Sequence, residues 1–184
     1  MSIIAYKIEK GKVSVACDGR VLAGDEIISE DKVKISKVKD YKIICGATGI
    51  SDTSDLWKDY VSEHASSIIK IEDVKNVLLL AIDFKNYIID DYHYGDEMFN
   101  NFGGFFFITP HFSCVINYDN DKSPYVTHVN EEYGCFGSTY DYTNALLDVG
   151  IDLEDAIKIS AKKFTTINDH VTKLSFDLEH ESGD

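Results

Sequence analysis

None of the 184 residues belongs to a stretch approaching the roughly 18–20 uninterrupted apolar residues that a membrane-crossing helix needs. Met1 to Lys12 mixes apolar and charged side chains, so a secretory signal pattern is missing too, and the expected address is the cytoplasm. There is no CxxC pair. Cys17, Cys45, Cys114 and Cys135 are far apart, each in a strand-like apolar run where a free thiol behaves as a small hydrophobe. Neither a disulfide framework nor a zinc cluster is expected from them. Positive charge is scarce: lysine and arginine total 18 against 32 acidic residues, a formal net charge of −14, and Arg20 is the one arginine. That balance argues against polyanionic partners, nucleic acid included, and favours solubility.

Further absences narrow the chemistry. The histidines, His93 and His128 among them, are scattered without ligand spacing, so no metal site is expected. Asp119-Asn120-Asp121 looks like the opening of a calcium loop but lacks the later glycine and acidic positions, and reads as a hairpin turn. No phosphate-binding glycine loop occurs, and no cofactor is implied. The chain has no internal repeat, low-complexity segment or interdomain linker, so residues 1–184 are expected to form a single domain with a hydrophobic core of its own.

What is present reads as blocks of strands and helices. Ile3 to Ile8 and Val13 to Cys17 flank Glu9-Lys10-Gly11-Lys12, a hairpin signal. Lys32 to Val38 and Tyr41 to Ala47 are the next strands. The period then changes: Leu56, Trp57, Tyr60, Val61, His64, Ala65 and Ile68 predict an amphipathic helix, and Val74, Val77, Leu78, Ala81 and Ile82 a second. Strands return over Phe105–Thr109, Phe112–Tyr118, Tyr125–Val129 and Tyr133–Phe136. Helices follow over Thr139–Val149 and Leu153–Phe164, then a last strand near Leu174–Leu178 and an acidic tail. Strand blocks alternating with helix blocks predict an α+β fold with antiparallel sheets and segregated helices. The expected architecture is two sheets face to face, with helical layers on both outer sides.

Candidate chemistry begins at Ser2. Its small side chain makes Met1 a candidate for removal by methionine aminopeptidase, which leaves a hydroxyl and an α-amine on one residue. Such an amine has a pKa of about 7.7–8.0 and serves as the adjacent base that a serine nucleophile requires. Asp18 ends a strand at the Asp18-Gly19 turn, Lys34 lies in the alternating stretch Lys32-Val33-Lys34-Ile35, and Cys45-Gly46-Ala47-Thr48-Gly49 ends a strand just before a helix. Gly137-Ser138 repeats that strand-to-helix placement. Each has an ordinary reading: a turn, a solvent-facing lysine, a tight bend, and a helix N-cap for Ser138 with Asp141 completing a capping box.

In their order and spacing from Ser2, these elements resemble those of a proteasome β-type subunit, closest in pattern to HslV-type peptidases that work with an unfoldase ATPase. The resemblance is strong in residues 2–50 and 133–165 and weak through 85–130. It implies a four-layer αββα sandwich of the N-terminal-nucleophile class and a homo-oligomeric ring acting on proteins or peptides. It also implies roles. Ser2 attacks the carbonyl, Lys34 lowers the amine's pKa, Asp18 orients Lys34, the Gly46 N–H receives the oxyanion, and Ser138 joins the polar network about the amine. The chain departs from that pattern where serine replaces threonine at the nucleophile and Ile3 replaces a second threonine. Thr165-Thr166 also stand where an aspartate is usual, with Asp169 nearby. A catalytically silent relative and a small-molecule amidohydrolase of the same fold are the alternatives.

Overall fold

The structure, a computed structural model, describes residues 2–93, 103–119 and 121–178. β1 (Ile3–Glu9) and β2 (Lys12–Asp18) form the predicted hairpin, with Glu9 opposite Lys12. Lys10 and Gly11 at its tip both take positive φ, 52° and 73°, the geometry of the two-residue turn that matches strand twist. β10 (Tyr133–Gly137) pairs with β1 and β11 (Val171–Asp177) with β2, giving a four-stranded antiparallel sheet in the order β10-β1-β2-β11.

The second sheet runs β5 (Ile35–Lys37), β6 (Ile44–Ala47), β7 (Phe105–Ile108), β8 (Ser113–Tyr118) and β9 (Pro124–Thr127), again antiparallel. Period-two alternation sorts its side chains. Phe106 and Ile108 meet Ile4, Tyr6, Val13 and Val15 of the first sheet. Phe105 and Phe107 point outward to α1 (Ser51–Glu63) and α3 (Val74–Tyr92), where Trp57, Tyr60 and Phe84 complete an aromatic layer. On the far side Ile3, Ala5 and Ala16 pack against α4 (Tyr140–Asp148) and α5 (Leu153–Lys163) through Leu147, Leu153, Ala156 and Ile157. The architecture is the expected αββα sandwich of two antiparallel sheets.

Several elements differ from the sequence reading. A separate hairpin, β3 (Val21–Ala23) and β4 (Glu26–Ser29), fills a stretch without a strong strand pattern. The strand expected over Lys32–Val38 shortens to β5, and just ahead of it the Lys34 ammonium reaches buried acceptors. The helix expected through Ile68 breaks at His64 (φ −100°, ψ 12°) and resumes as the short α2 (Ala65–Ile68). β11 begins three residues earlier than Leu174, paired along β2 from Asp18. The acidic tail beyond residue 178 and Asn120 of the predicted turn lie outside the described residues. Among the described residues, no helix is long and apolar enough to cross a membrane.

Candidate active site

The first residue of β1 and the last of β2 are held together, because Asp18 Oδ1 accepts the Ile3 N–H at 2.9 Å. Ser2, 6% exposed, is thereby set beside a fully buried carboxylate. A carboxylate at zero exposure needs compensation. Asp18 obtains it from Lys34 Nζ, 2.7 Å from Oδ1, and from the Arg20 N–H, 3.0 Å from Oδ2. Lys34 is itself 3% exposed and gives a second hydrogen bond to the Arg20 carbonyl at 2.7 Å. An ammonium carries three hydrogens, so two are committed to Asp18 and Arg20 and one is left for the cavity that Lys34 lines together with Ser2. Burial lowers the Lys34 pKa below its ordinary value, and the Asp18 charge and hydrogen bond oppose that shift.

Ser138 reaches the same place from across the sheet. It does not cap α4: the N-cap position is Thr139, and no side chain caps that helix. Instead the Ser138 N–H and Oγ both donate to the Ser2 carbonyl, at 2.7 and 3.1 Å. Gly137 makes this approach feasible. Its φ is +102°, and a Cβ there would lie 2.1 Å from the Ser2 oxygen.

Gly46 is placed differently from the other four. A Cβ on it would sit 2.3 Å from the Lys34 carbonyl, so glycine lets β6 approach the Lys34 backbone. The flanking N–H groups fix its direction. Ala47 N–H donates to the Lys34 carbonyl and Thr48 N–H to the Gly104 carbonyl. Antiparallel alternation therefore turns the Gly46 N–H toward Phe106 on β7, away from Ser2. The residues of this stretch that line the cavity are Ala47 and Gly49. Among the described residues the Gly49 N–H has no hydrogen-bond partner.

A polar clamp that the sequence reading missed braces the Asp18 turn. Asn168, 6% exposed, accepts the Gly19 N–H at 2.9 Å and donates to the Glu30 backbone and carboxylate. Arg20 grips Glu30 with Nε and Nη2 at 3.1 and 2.9 Å, and hydrogen bonds from Arg20 and Asn168 hold the Glu30 carboxyl below its ordinary pKa. The loop after α5 thus offers an amide to this end of the molecule, while Asp169 is exposed and Thr165 contributes its carbonyl to Arg20. A lone Asn in a polar loop carries no periodic signal by which it could have been singled out.

The thiols lie elsewhere. All four cysteines are free and buried; burial pushes Cys17 up to about 11 and Cys45 and Cys135 up to about 12, so they are inert packing groups. Among the described residues, no group of three or more His, Cys, Asp or Glu could hold a metal ion.

The sequence matches no protein-family model and no curated protein. Solved structures do match it over nearly its whole length. Eukaryotic HslV from Trypanosoma brucei superposes with a TM-score of 0.69 at 11% identity, covering 95% of this chain and 99% of that one. Thiobacillus denitrificans BPH gives 0.73 at 13% identity, covering 97% and 100%. The same protein in complex with epoxomicin gives 0.75, again at 13% identity and the same coverage. With Ser2, Asp18, Lys34 and Ser138 gathered at one end of an αββα sandwich, the chain has the HslV- and proteasome-like fold of the N-terminal-nucleophile hydrolases.

Proposed function

We propose that the chain is the subunit of a self-compartmentalising peptidase, with Ser2 as N-terminal nucleophile once Met1 has been removed. The observation that carries this reading is the cavity shared by Ser2 and the buried Lys34, whose charge is compensated by Asp18. Ser2 Oγ attacks the peptide carbonyl while its proton passes to the α-amine, directly or through water. The Lys34 ammonium favours the neutral amine and the ionised hydroxyl. The α-ammonium returns that proton to the leaving amine as the C–N bond breaks, and water then hydrolyses the Ser2 ester, freeing the carboxylate and restoring the hydroxyl. Gly49, with its unpartnered N–H, is the candidate donor to the oxyanion in place of Gly46; such a donor is typically worth about 2.7–4 kcal/mol in the transition state.

The whole chain acts as one such domain, in the cytoplasm, within a homo-oligomeric ring that restricts entry to unfolded chains, fed by an unfoldase ATPase. The likeness to HslV supports that assembly. The test is hydrolysis of a fluorogenic peptide by the wild-type protein and by Ser2→Ala, with circular dichroism and light scattering on both. Turnover by the wild type alone, from two proteins with the same fold and ring mass, supports the reading. Equal turnover removes it.

Thr165 and Thr166, which stand where the resemblance has an aspartate, together with the exposed Asp169, favour a second reading: a silent relative that keeps the scaffold for binding. Intact mass of the protein from its native host separates the two. Retained Met1 supports the silent form, and its loss supports the peptidase.

A further inference from the structure

We propose that the end of the sandwich remote from Ser2 holds a second binding site, for a small uncharged molecule with an apolar, ring-sized body and one carbonyl oxygen. β1 leads there: Ile8 lies far along the strand from Ser2, roughly 20 Å at the rise of an extended chain. Between the ends of the two sheets lies a cavity of about 200 Å³, open on one side. Its apolar walls are Ile8 and Val13 of the first hairpin, Leu178 just after β11 and Phe112 just before β8. Size limits the occupant. A cavity of about 150 Å³ accepts benzene, whereas drug-sized ligands need roughly 300 Å³ or more.

The Ser113 hydroxyl is the pointer to a ligand. Alternation along β8 puts Ser113 on the same face as Val115, toward the first sheet. Ser113 is 3% exposed and lines the cavity, and its hydroxyl has no hydrogen-bond partner among the described residues. A buried hydroxyl left in that state costs free energy that an incoming acceptor recovers. Asn130, also in the lining, accepts the Ser113 N–H through Oδ1 at 2.9 Å. Its amide nitrogen keeps both hydrogens without a partner among the described residues. A hydroxyl and an amide nitrogen on one lip match the two lone pairs of one carbonyl oxygen. The frame around them is already formed. The Asn130 N–H donates back to the Ser113 carbonyl at 2.9 Å, and Thr109 Oγ1 accepts the N–H groups of His111 and Phe112 at 3.2 and 2.9 Å.

Charge excludes other occupants. Apart from His111 on the exposed rim, the lining has no ionisable side chain. No ammonium or guanidinium awaits an anion, which the net charge of −14 would repel, and no carboxylate awaits a cation. The residues that follow Leu178, Glu179 to Asp184, include no apolar side chain and do not match the walls.

The experiment uses the whole chain with labelled Ile, Leu and Val methyl groups, titrated with benzamide, toluene, benzoate and benzamidinium and followed by NMR. Benzamide is expected to shift the Ile8, Val13 and Leu178 signals saturably, and to bind about fivefold or more tighter than either ion. Ser113→Ala is expected to weaken benzamide by about fivefold, the worth of one neutral hydrogen bond, and to leave toluene unchanged or tighter. The same variant should keep or raise the melting temperature, where a serine that merely braced the fold would lower it. Ile8→Trp, which fills the mouth from a half-buried position, should abolish the shifts at Val13 and Leu178. The Ser2→Ala protein is expected to bind benzamide as the wild type does, so this site and the peptidase reading stand or fall separately. No saturable shift at those three methyl-bearing residues, tighter binding of benzoate or benzamidinium, or an equal loss of benzamide and toluene in Ser113→Ala overturns the proposal.

Discussion

The sheet that begins with Ser2 and the sheet facing it are built from different material. Against α4 and α5 the first packs small and aliphatic groups: Ile3, Ala5, Ala16, Cys135, Ala156 and Ile157. Against α1 and α3 the second packs rings, with Trp57 and Phe84 edge-on at 4.8 Å and Phe84 and Phe105 at 5.3 Å. The polar groups do not follow that division. Ser2 and Asp18 come from the first sheet, whereas Lys34, Ala47, Gly49 and Ser54 come from the second sheet's edge and the helix that follows it. Apolar mass is lopsided and chemistry is shared. The site lies on a seam, and the aromatic half acts as the anvil on which its second half is held.

That comparison can be broken in several ways. The largest effect is expected from Lys34→Ala, which leaves Asp18 buried without its cation. Peptide turnover should fall by roughly 10³-fold or more while the aromatic half keeps its near-ultraviolet circular dichroism. The same lysine sets an alkaline limit. Its pKa is lowered by burial, so activity should decline at a pH below the ordinary lysine value of 10.5. Asp18 opposes that shift, so Asp18→Asn should move the decline to lower pH still, as a pH–rate profile would reveal.

Trp57→Ala strikes the other half. Trp57 is fully buried and donates from Nε1 to the Phe106 carbonyl at 2.9 Å. Its loss should cost about 3–5 kcal/mol in denaturant unfolding. A much smaller cost would show that the aromatic layer is not the stabilising half. On the seam itself, Gly137→Ala must move the Ser2 carbonyl and strain a positive φ, at roughly 1–3 kcal/mol, with loss of turnover exceeding loss of stability.

The smallest effect concerns His170, exposed and paired with Asp31 at 2.7 Å. Its pKa is raised chiefly by that hydrogen bond. A raised pKa means that the pair's contribution is complete below the unfolded value of about 6.5 and lost as pH rises through the folded value. His170→Ala should therefore lower the melting temperature slightly at pH 5.5 and leave it unchanged at pH 9.

Much of this frame was readable from residue pattern, for stated reasons. The β1–β2 hairpin declares itself through alternation and Lys10-Gly11, and α3 and α5 through three- and four-residue spacing. β3 and β4 did not, being three and four residues long and largely exposed. His64 hides the break between α1 and α2, since the apolar period continues across it. Lys34 was ambiguous by pattern alone: alternation among lysines implies a solvent face, and only the pairing with Asp18 explains its burial. The direction of the Gly46 N–H depends on ladder register, which no single strand encodes. Ser54 and Asn168 required the fold, because their neighbours are distant in the chain: a cavity lined by Ser2, and the Gly19 turn.

The account rests on residue 2 being both nucleophile and base. Its most direct test is intact mass and peptide mapping after incubation with an electrophile that reacts with N-terminal hydroxyl nucleophiles, with Ser2→Ala as control. One equivalent bound to a chain that lacks Met1, localised to Ser2 and missing from the control, is the predicted result. An unmodified chain still carrying Met1, or an adduct on any other residue, contradicts it.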